Sequence, residues 1–248
     1  MDTPVRLDVL TLFPEMLRGF FESSIMARAV QRSIIEYSLV QIRDFAEGKH
    51  KKCDDEVFGG GAGMLMLAGP LERAILSVKR EGSRVVYVTP GGRLLNQAYA
   101  RDLSQEEHLV VICGHYEGID QRIIDRYVDD EISIGDYVLS SGETAALVLV
   151  DAVFRLIPGV ITGESLSEES FEDGLLEYPQ YTRPAKYDSM SVPQVLVSGH
   201  HAKIQAWKYK KRLEKTLLYR PELLGQLNPQ LLRLIEEILQ QGVNDEPD

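Results

Sequence analysis

Short apolar runs rich in Val, Ile and Leu alternate with helix-like stretches through the first part of this chain, and that alternation constrains its fold more than any other feature. Residues 5–13, 37–42, 84–89 and 108–113 read as strands. Residues 14–21, 70–80 and 97–103 between them have helical character. Strand and helix in alternation predict an α/β domain with a mostly parallel sheet. Residues 142–156 read as a helix that is apolar on most sides, hence buried.

The pattern changes after Gly159. Residues 162–173, TGESLSEESFED, are polar and acidic without periodicity and read as a mobile linker or lid. Beyond them the sequence predicts helices only. Residues 201–218 carry bases with Trp207 and Tyr209 among them. Asn228 is placed to cap a helix with Pro229 in its first turn and Leu231, Leu234, Ile235, Ile238 and Leu239 as its core stripe. The organisation expected is therefore an α/β domain over 1–161, a linker over 162–174 and a small all-helical domain over 175–248, with residues 242–248 fraying.

A formal net charge of -11 argues against nonspecific polyanion binding by the whole surface. The charge is uneven, however. From Lys203 to Arg233 the bases are Lys203, Lys208, Lys210, Lys211, Arg212, Lys215, Arg220 and Arg233, against Glu214 and Glu222. Such a segment can bind RNA locally, though on charge alone the solvated helix face is the preferred reading. Cys53 and Cys113 make no CxxC pair and no metal spacing, and read as buried thiols in a reducing compartment. The N-terminus lacks the basic start and long apolar core of a signal peptide. The most apolar stretch, 145–154, is interrupted by Asp151 and too short to span a bilayer. A cytoplasmic location without membrane attachment is expected.

Three glycine-bearing loops follow strand-like runs: Thr89-Pro90-Gly91-Gly92, residues 113–118 (CGHYEG) and residues 134–142 (IGDYVLSSG). Ligands of open α/β sheets bind beyond the carboxyl ends of strands. Backbone groups there can read an adenine edge, Ile134, Tyr137 and Leu139 can wall its faces, and Glu117 or Asp136 can meet a cationic or hydroxylated part. Each loop alone is an ordinary turn; the three together suggest a cofactor pocket. The GGGAG cluster at 59–63 is neither a P-loop nor GxGxxG, and reads as a tight turn or a ligand-facing loop. His115 has the chemistry of a general base but no triad partner nearby, and His200-His201 lack a third metal ligand.

Six motifs then carry a resemblance: FGGGAGM (58–64), CGHYEGID from Cys113, EISIGDYVLSSGE from Glu131, DAVFRLIPGV from Asp151, GLLEYPQYTRP from Gly174 and VPQVLVSGHHAKI from Val192. In this order they resemble the bacterial tRNA (guanine-N1) methyltransferases of the SPOUT superfamily, from LTLFPEM near the N-terminus to the KIQAW helix. The resemblance implies a deep trefoil knot in the sheet domain, an obligate homodimer with the active site between subunits, and S-adenosylmethionine as methyl donor. It implies tRNA, not DNA, as the macromolecular partner. Mg2+ is an implied accessory, with no ligand cluster in the sequence to mark it.

Carried over by motif, the cofactor-binding positions are Thr89, Pro90, Gly114, Tyr116, Glu117, Ile134, Gly135, Asp136, Tyr137, Val138, Leu139 and Gly142. Lys208, Lys210, Lys211 and Arg212 are the substrate-binding bases. The catalytic base falls at Glu169, where the family pattern has Asp, with Asp173 as alternative; Arg155 of the DAV-x-R motif is the assisting cation. Other departures are TPGG for SPQG, SGETAAL for GGELPAM, Gln180 for a His before YTRP, and Val57-Phe58 for Pro-Phe. Two further possibilities remain: methylation of another RNA position, and an RNA-binding protein that has lost catalysis.

Overall fold

The computed structural model describes residues 3–60, 63–162, 169–227, 229, 232 and 233. The chain divides into two compact units, Met1–Gly163 and Glu164–Asp248.

The first unit is built on a five-stranded, all-parallel sheet. Its strands are β1 (Val5–Thr11), β2 (Ile35–Gln41), β5 (Arg84–Leu94), β6 (His108–Cys113) and β7 (Asp130–Ser133), in the order β2-β1-β6-β5-β7. β3 (Asp54–Glu56) and β4 (Met64–Met66) form a separate antiparallel pair. The central strand β6 is buried at all six positions, as a parallel strand covered on both faces must be. Along the chain run the helices α1 (Glu15–Phe21), α2 (Ser24–Gln31), α3 (Ala68–Val78), α4 (Gln97–Leu103) and α5 (Gln121–Tyr127), and Val110 and Ile112 join a core with Leu71, Ala74 and Ile75 of α3 and Ile123 and Tyr127 of α5. The alternate residues turn to the opposite face, which α6 (Gly142–Phe154) covers. This is the doubly covered α/β layering that the alternation predicts.

At the N-terminal end of the sheet lies a buried polar cluster. His108 Nε2 pairs with Asp8 Oδ2 at 2.8 Å and its Nδ1 with Ser83 Oγ at 2.7 Å. Arg6 closes on Asp8 from outside at 2.8 Å. Burial holds the His108 ring below its usual titration range.

Several expected boundaries move. β1 ends at Thr11 and β2 starts at Ile35. β7, of sequence DEIS, was not anticipated: four residues with two charges give no apolar run. The Thr89–Gly92 tetrapeptide is not a loop after a strand but an excursion within β5. Ile132 pairs with Val88 before it and Arg93 after it. Gly92 is required there, because a Cβ would collide with the backbone of Glu131 and Ile132.

In the second unit, helices alone do not suffice: Lys186–Tyr187 and Met190–Ser191 pair as a short hairpin. Its long helix is His201–Tyr219. The segment expected to be a linker is, from Glu169 onward, part of this unit: Leu175 is fully buried with Leu227, Tyr209, Leu213 and Leu224 around it. The expected Asn228 cap and most of its helix lie outside the described residues.

Candidate functional site

At the carboxyl ends of β5, β6 and β7 three backbone segments close around a cleft of about 210 Å³. They are the excursion at 89–90, the turn at 114–118 and the loop at 132–142. Their approach is too close for side chains. The Gly142 amide donates to the Gly114 carbonyl at 2.9 Å, and a Cβ on Gly142 would stand 2.5 Å from the Gly114 nitrogen. A Cβ on Gly114 would stand 2.9 Å from the Tyr87 ring. The cleft wall is therefore largely main chain, with N–H and C=O groups available to a planar heterocycle.

Of the twelve positions assigned to the cofactor from motifs, eleven line this cleft: Thr89, Pro90, Gly114, Tyr116, Glu117, Ile134, Gly135, Tyr137, Val138, Leu139 and Gly142. Asp136 does not; it is exposed and absent from the lining. The loop between is curled on itself, with Tyr137 N donating to Gly135 O at 2.9 Å and Ser133 Oγ donating to Gly135 O at 3.1 Å. Gly63 of the glycine-rich motif comes to this region too. Gly63, at φ +108°, lies so close to the Glu117 side chain that no Cβ fits between them.

Sequence reasoning missed the group behind the cleft. Glu143, wholly buried in the first turn of α6, accepts from Thr11 Oγ1 at 2.5 Å and pairs with His115 Nε2 at 2.6 Å. Phe13 flanks the His115 ring at 4.9 Å. Burial pushes the Glu143 carboxyl up, but the hydrogen bonds from His115 and Thr11 overcome it and hold the group below its usual range. So His115 does have an acidic partner, 28 residues away in sequence, and no spacing rule could have found it. Cys113, fully buried beside this carboxylate, has its thiol pushed well up by burial, which disqualifies it as a nucleophile.

Arg155 follows the last turn of α6 and is half-buried, its amide bonded to Asp151 O at 3.2 Å. Glu169 is half-buried in the second unit and its carbonyl accepts from Glu172 N at 3.4 Å. The four bases proposed to meet substrate differ from one another. Lys210 is exposed, Lys211 pairs with Glu214 at 2.7 Å, and the Lys208 ammonium stands 4.6 Å from the Tyr178 ring. Arg212 is no surface cation: it is 7% exposed and bonded to Asp173. Among the described residues no group of three or more His, Cys, Asp or Glu could hold a metal, and no helix is long and apolar enough to cross a membrane.

Comparison with known proteins adds a family. Residues 5–226 match the family described as tRNA (Guanine-1)-methyltransferase TrmD. A Treponema denticola protein named tRNA (guanine-N(1)-)-methyltransferase is 63% identical over 220 residues, covering 89% of this chain and 90% of its own. Proteins of the same name from Treponema pallidum and Herpetosiphon aurantiacus are 60% and 51% identical, each over 89% of this chain and 88% of theirs.

Proposed function

The chain belongs to the tRNA (guanine-1)-methyltransferase family, and on that premise we propose that it methylates N1 of the guanosine immediately 3′ of a tRNA anticodon, with S-adenosylmethionine as donor. The observation that carries this reading is the main-chain cleft at the carboxyl ends of β5, β6 and β7, where open α/β sheets take their ligands. Its residues fit an adenosyl group. Backbone donors and acceptors can read the adenine edge, Ile134, Tyr137 and Leu139 can cover its faces, and the glycines at 114 and 142 keep the wall clear of side chains.

The donor supplies an electrophilic methyl group on a sulfonium sulfur. The protein's task is to expose a lone pair on N1, which carries a proton at neutral pH. Glu169 takes that proton as the new bond forms. As that proton leaves, negative charge develops toward O6, where the Arg155 guanidinium stabilises it, and N1 would bond to the methyl carbon as the S–C bond breaks with its electron pair kept on sulfur. The helix His201–Tyr219, with Lys208, Lys210 and Lys211, holds the RNA backbone. Arg212 has no part in that contact. Mg2+ is an accessory implied by the resemblance alone; among the described residues no cluster of three or more His, Cys, Asp or Glu marks a place for it.

Two architectural features belong to the same proposal. The segments at 89–92 and 114–142, which press on one another without room for a Cβ at Gly92 or Gly142, form a deep trefoil knot. The active unit is a homodimer. A cleft of about 210 Å³ is smaller than the roughly 300–1,000 Å³ typical of ligand sites. Its rim exposes Tyr137 at 54% and Val138 at 83%, apolar surface that a second copy would cover.

The deciding experiment incubates the protein with methyl-labelled donor and unmodified tRNA carrying consecutive guanosines at the anticodon edge, followed by nucleoside mass spectrometry. Label in 1-methylguanosine is expected. Label in a different nucleoside, or none, would refute the assignment.

A further inference from the structure

Asp173 and Arg212 each look like functional surface residues in the sequence, yet the structure joins them. The Arg212 fork meets Asp173 in a bidentate pair: Nη1 donates to Oδ2 at 2.8 Å and Nη2 donates to Oδ1. Nε donates to the Leu176 carbonyl at 3.2 Å. One helical turn on, Thr216 Oγ1 accepts from the Leu176 amide at 3.0 Å and donates to the Arg212 carbonyl at 2.8 Å. Both main-chain polar groups of Leu176 are thus held by two side chains four residues apart on one helix face.

The rest of the loop is tied to the same point. Asp173 Oδ1 also accepts from the Leu175 amide at 3.3 Å. Phe171 N donates to Leu175 O at 2.9 Å, and Glu177 N donates to Ser170 Oγ at 3.0 Å. Phe171 has φ +73° and Gly174 has φ +88°, left-handed conformations that persist where surroundings enforce them. A Cβ on Gly174 would stand 2.8 Å from Leu227 Cδ2. Residues 170–177 therefore form a closed loop anchored on the helix, and Glu169 is the residue immediately before it.

We propose that the Asp173–Arg212 pair is a clamp that positions the loop presenting Glu169, so that Asp173 is a positioning residue rather than an alternative base and Arg212 is a structural cation rather than an RNA contact. This rests on the methyltransferase reading above. The chemistry favours the clamp on three counts. A base must offer an oxygen to its substrate, and both oxygens of Asp173 accept from Arg212. A phosphate contact must be solvent-facing, and Arg212 is 7% exposed. Arginine is the residue whose planar fork matches a carboxylate in two parallel bonds, which fixes orientation as well as distance.

The test uses the whole chain in four single variants and the Asp173→Asn/Arg212→Met double variant. Asp173→Asn and Arg212→Met break the pair. Arg212→Lys keeps the charge and loses the fork. Thr216→Val removes the Leu176 amide bond and the bond to the Arg212 carbonyl, leaves both charges in place and guards against the charge variants failing to fold. Single-turnover methyl transfer at saturating tRNA and donor should fall by about 10- to 100-fold in Asp173→Asn and Arg212→Met, the scale of a misplaced catalytic group. The double variant should be no slower than the worse single one, because the pair acts as a unit. Arg212→Lys and Thr216→Val should be intermediate. The pH dependence of the rate should keep its shape, and the salt dependence of tRNA binding its slope.

Full activity of Arg212→Met overturns the clamp. A flattened salt slope in that variant would make Arg212 an RNA contact instead, and loss of the rate's pH dependence in Asp173→Asn alone would make Asp173 the base. Hydrogen exchange supplies a readout independent of methylation: the Leu175 and Leu176 amides should be protected in the wild type and exchange faster in Arg212→Met. A wild-type chain that methylates nothing sinks the methyltransferase reading, and the clamp is then decided on exchange alone.

Discussion

Glu169 is proposed to take the N1 proton, and the substitution that tests it leaves its size unchanged. Glu169→Gln removes the basic oxygen, and single-turnover transfer should fall roughly a hundredfold or more, with donor and tRNA binding nearly intact. Glu169→Asp, which restores the family residue at the cost of one methylene, should stay active. A Glu169→Gln enzyme at the wild-type rate would remove the assignment. The neighbouring carboxylates have other work. Asp173 is spent on Arg212, and Glu143 is held by His115 and Thr11. An unpaired charge at so buried a place would cost several kcal/mol, so Glu143 fixes the His115 turn rather than reacting.

Among the elements, α6 carries a close-approach constraint at its first residue. Alanine normally stabilises a helix by up to about 1 kcal/mol relative to glycine. At Gly142 the sign reverses, because the added Cβ would stand 2.5 Å from one backbone atom and 2.9 Å from others in the turn after β6. Gly142→Ala should push the helix start off that turn and weaken donor binding by at least about tenfold, the scale of overpacking. Gly135→Ala should weaken donor binding as well, since Gly135 stands at φ +155°, a conformation that L side chains rarely adopt, and its Cβ would stand 2.3 Å from the Tyr137 ring. Calorimetric titration compares the two; equal and unperturbed affinities would mean that the close approach does not shape the cleft. The strands rich in apolar residues were legible because periodicity reports local burial: β6 and the helix Gln97–Leu103 fall at the expected residues. β7 was not, being short and half charged. Nor was the excursion at 89–92, because Pro and Gly look the same inside a strand as after it. The cleft positions were legible through motifs. Glu143, hidden in an apolar helix, and the Asp173–Arg212 pair, 39 residues apart, were not, because partner choice across such distances leaves no mark on spacing.

For the molecule as a whole, the question is how a chain of net charge -11 binds a polyanion. Long-range attraction by the average charge is absent, so recognition must come from a local concentration of cations. The helix His201–Tyr219 supplies one. Lys208, Lys211 and Lys215 recur at intervals of three and four residues and so form a stripe along one side, while Arg212 and Thr216 are the buried residues of this helix. The stripe and the exposed Lys210 face solvent where Arg212 does not, and that decides which charges to reverse. The double variant Lys211→Glu/Lys215→Glu leaves Arg212 and its clamp untouched. The exposed Lys211–Glu214 pair that it removes is worth at most about 1 kcal/mol, so the fold should survive. If each lysine meets one phosphate, the log–log salt slope of tRNA affinity should fall by roughly two units, with affinity reduced most at low salt and donor binding unchanged. Filter-binding titrations across a salt series measure both quantities. An unaltered slope would show that the stripe is only a solvated face and that the RNA is held elsewhere.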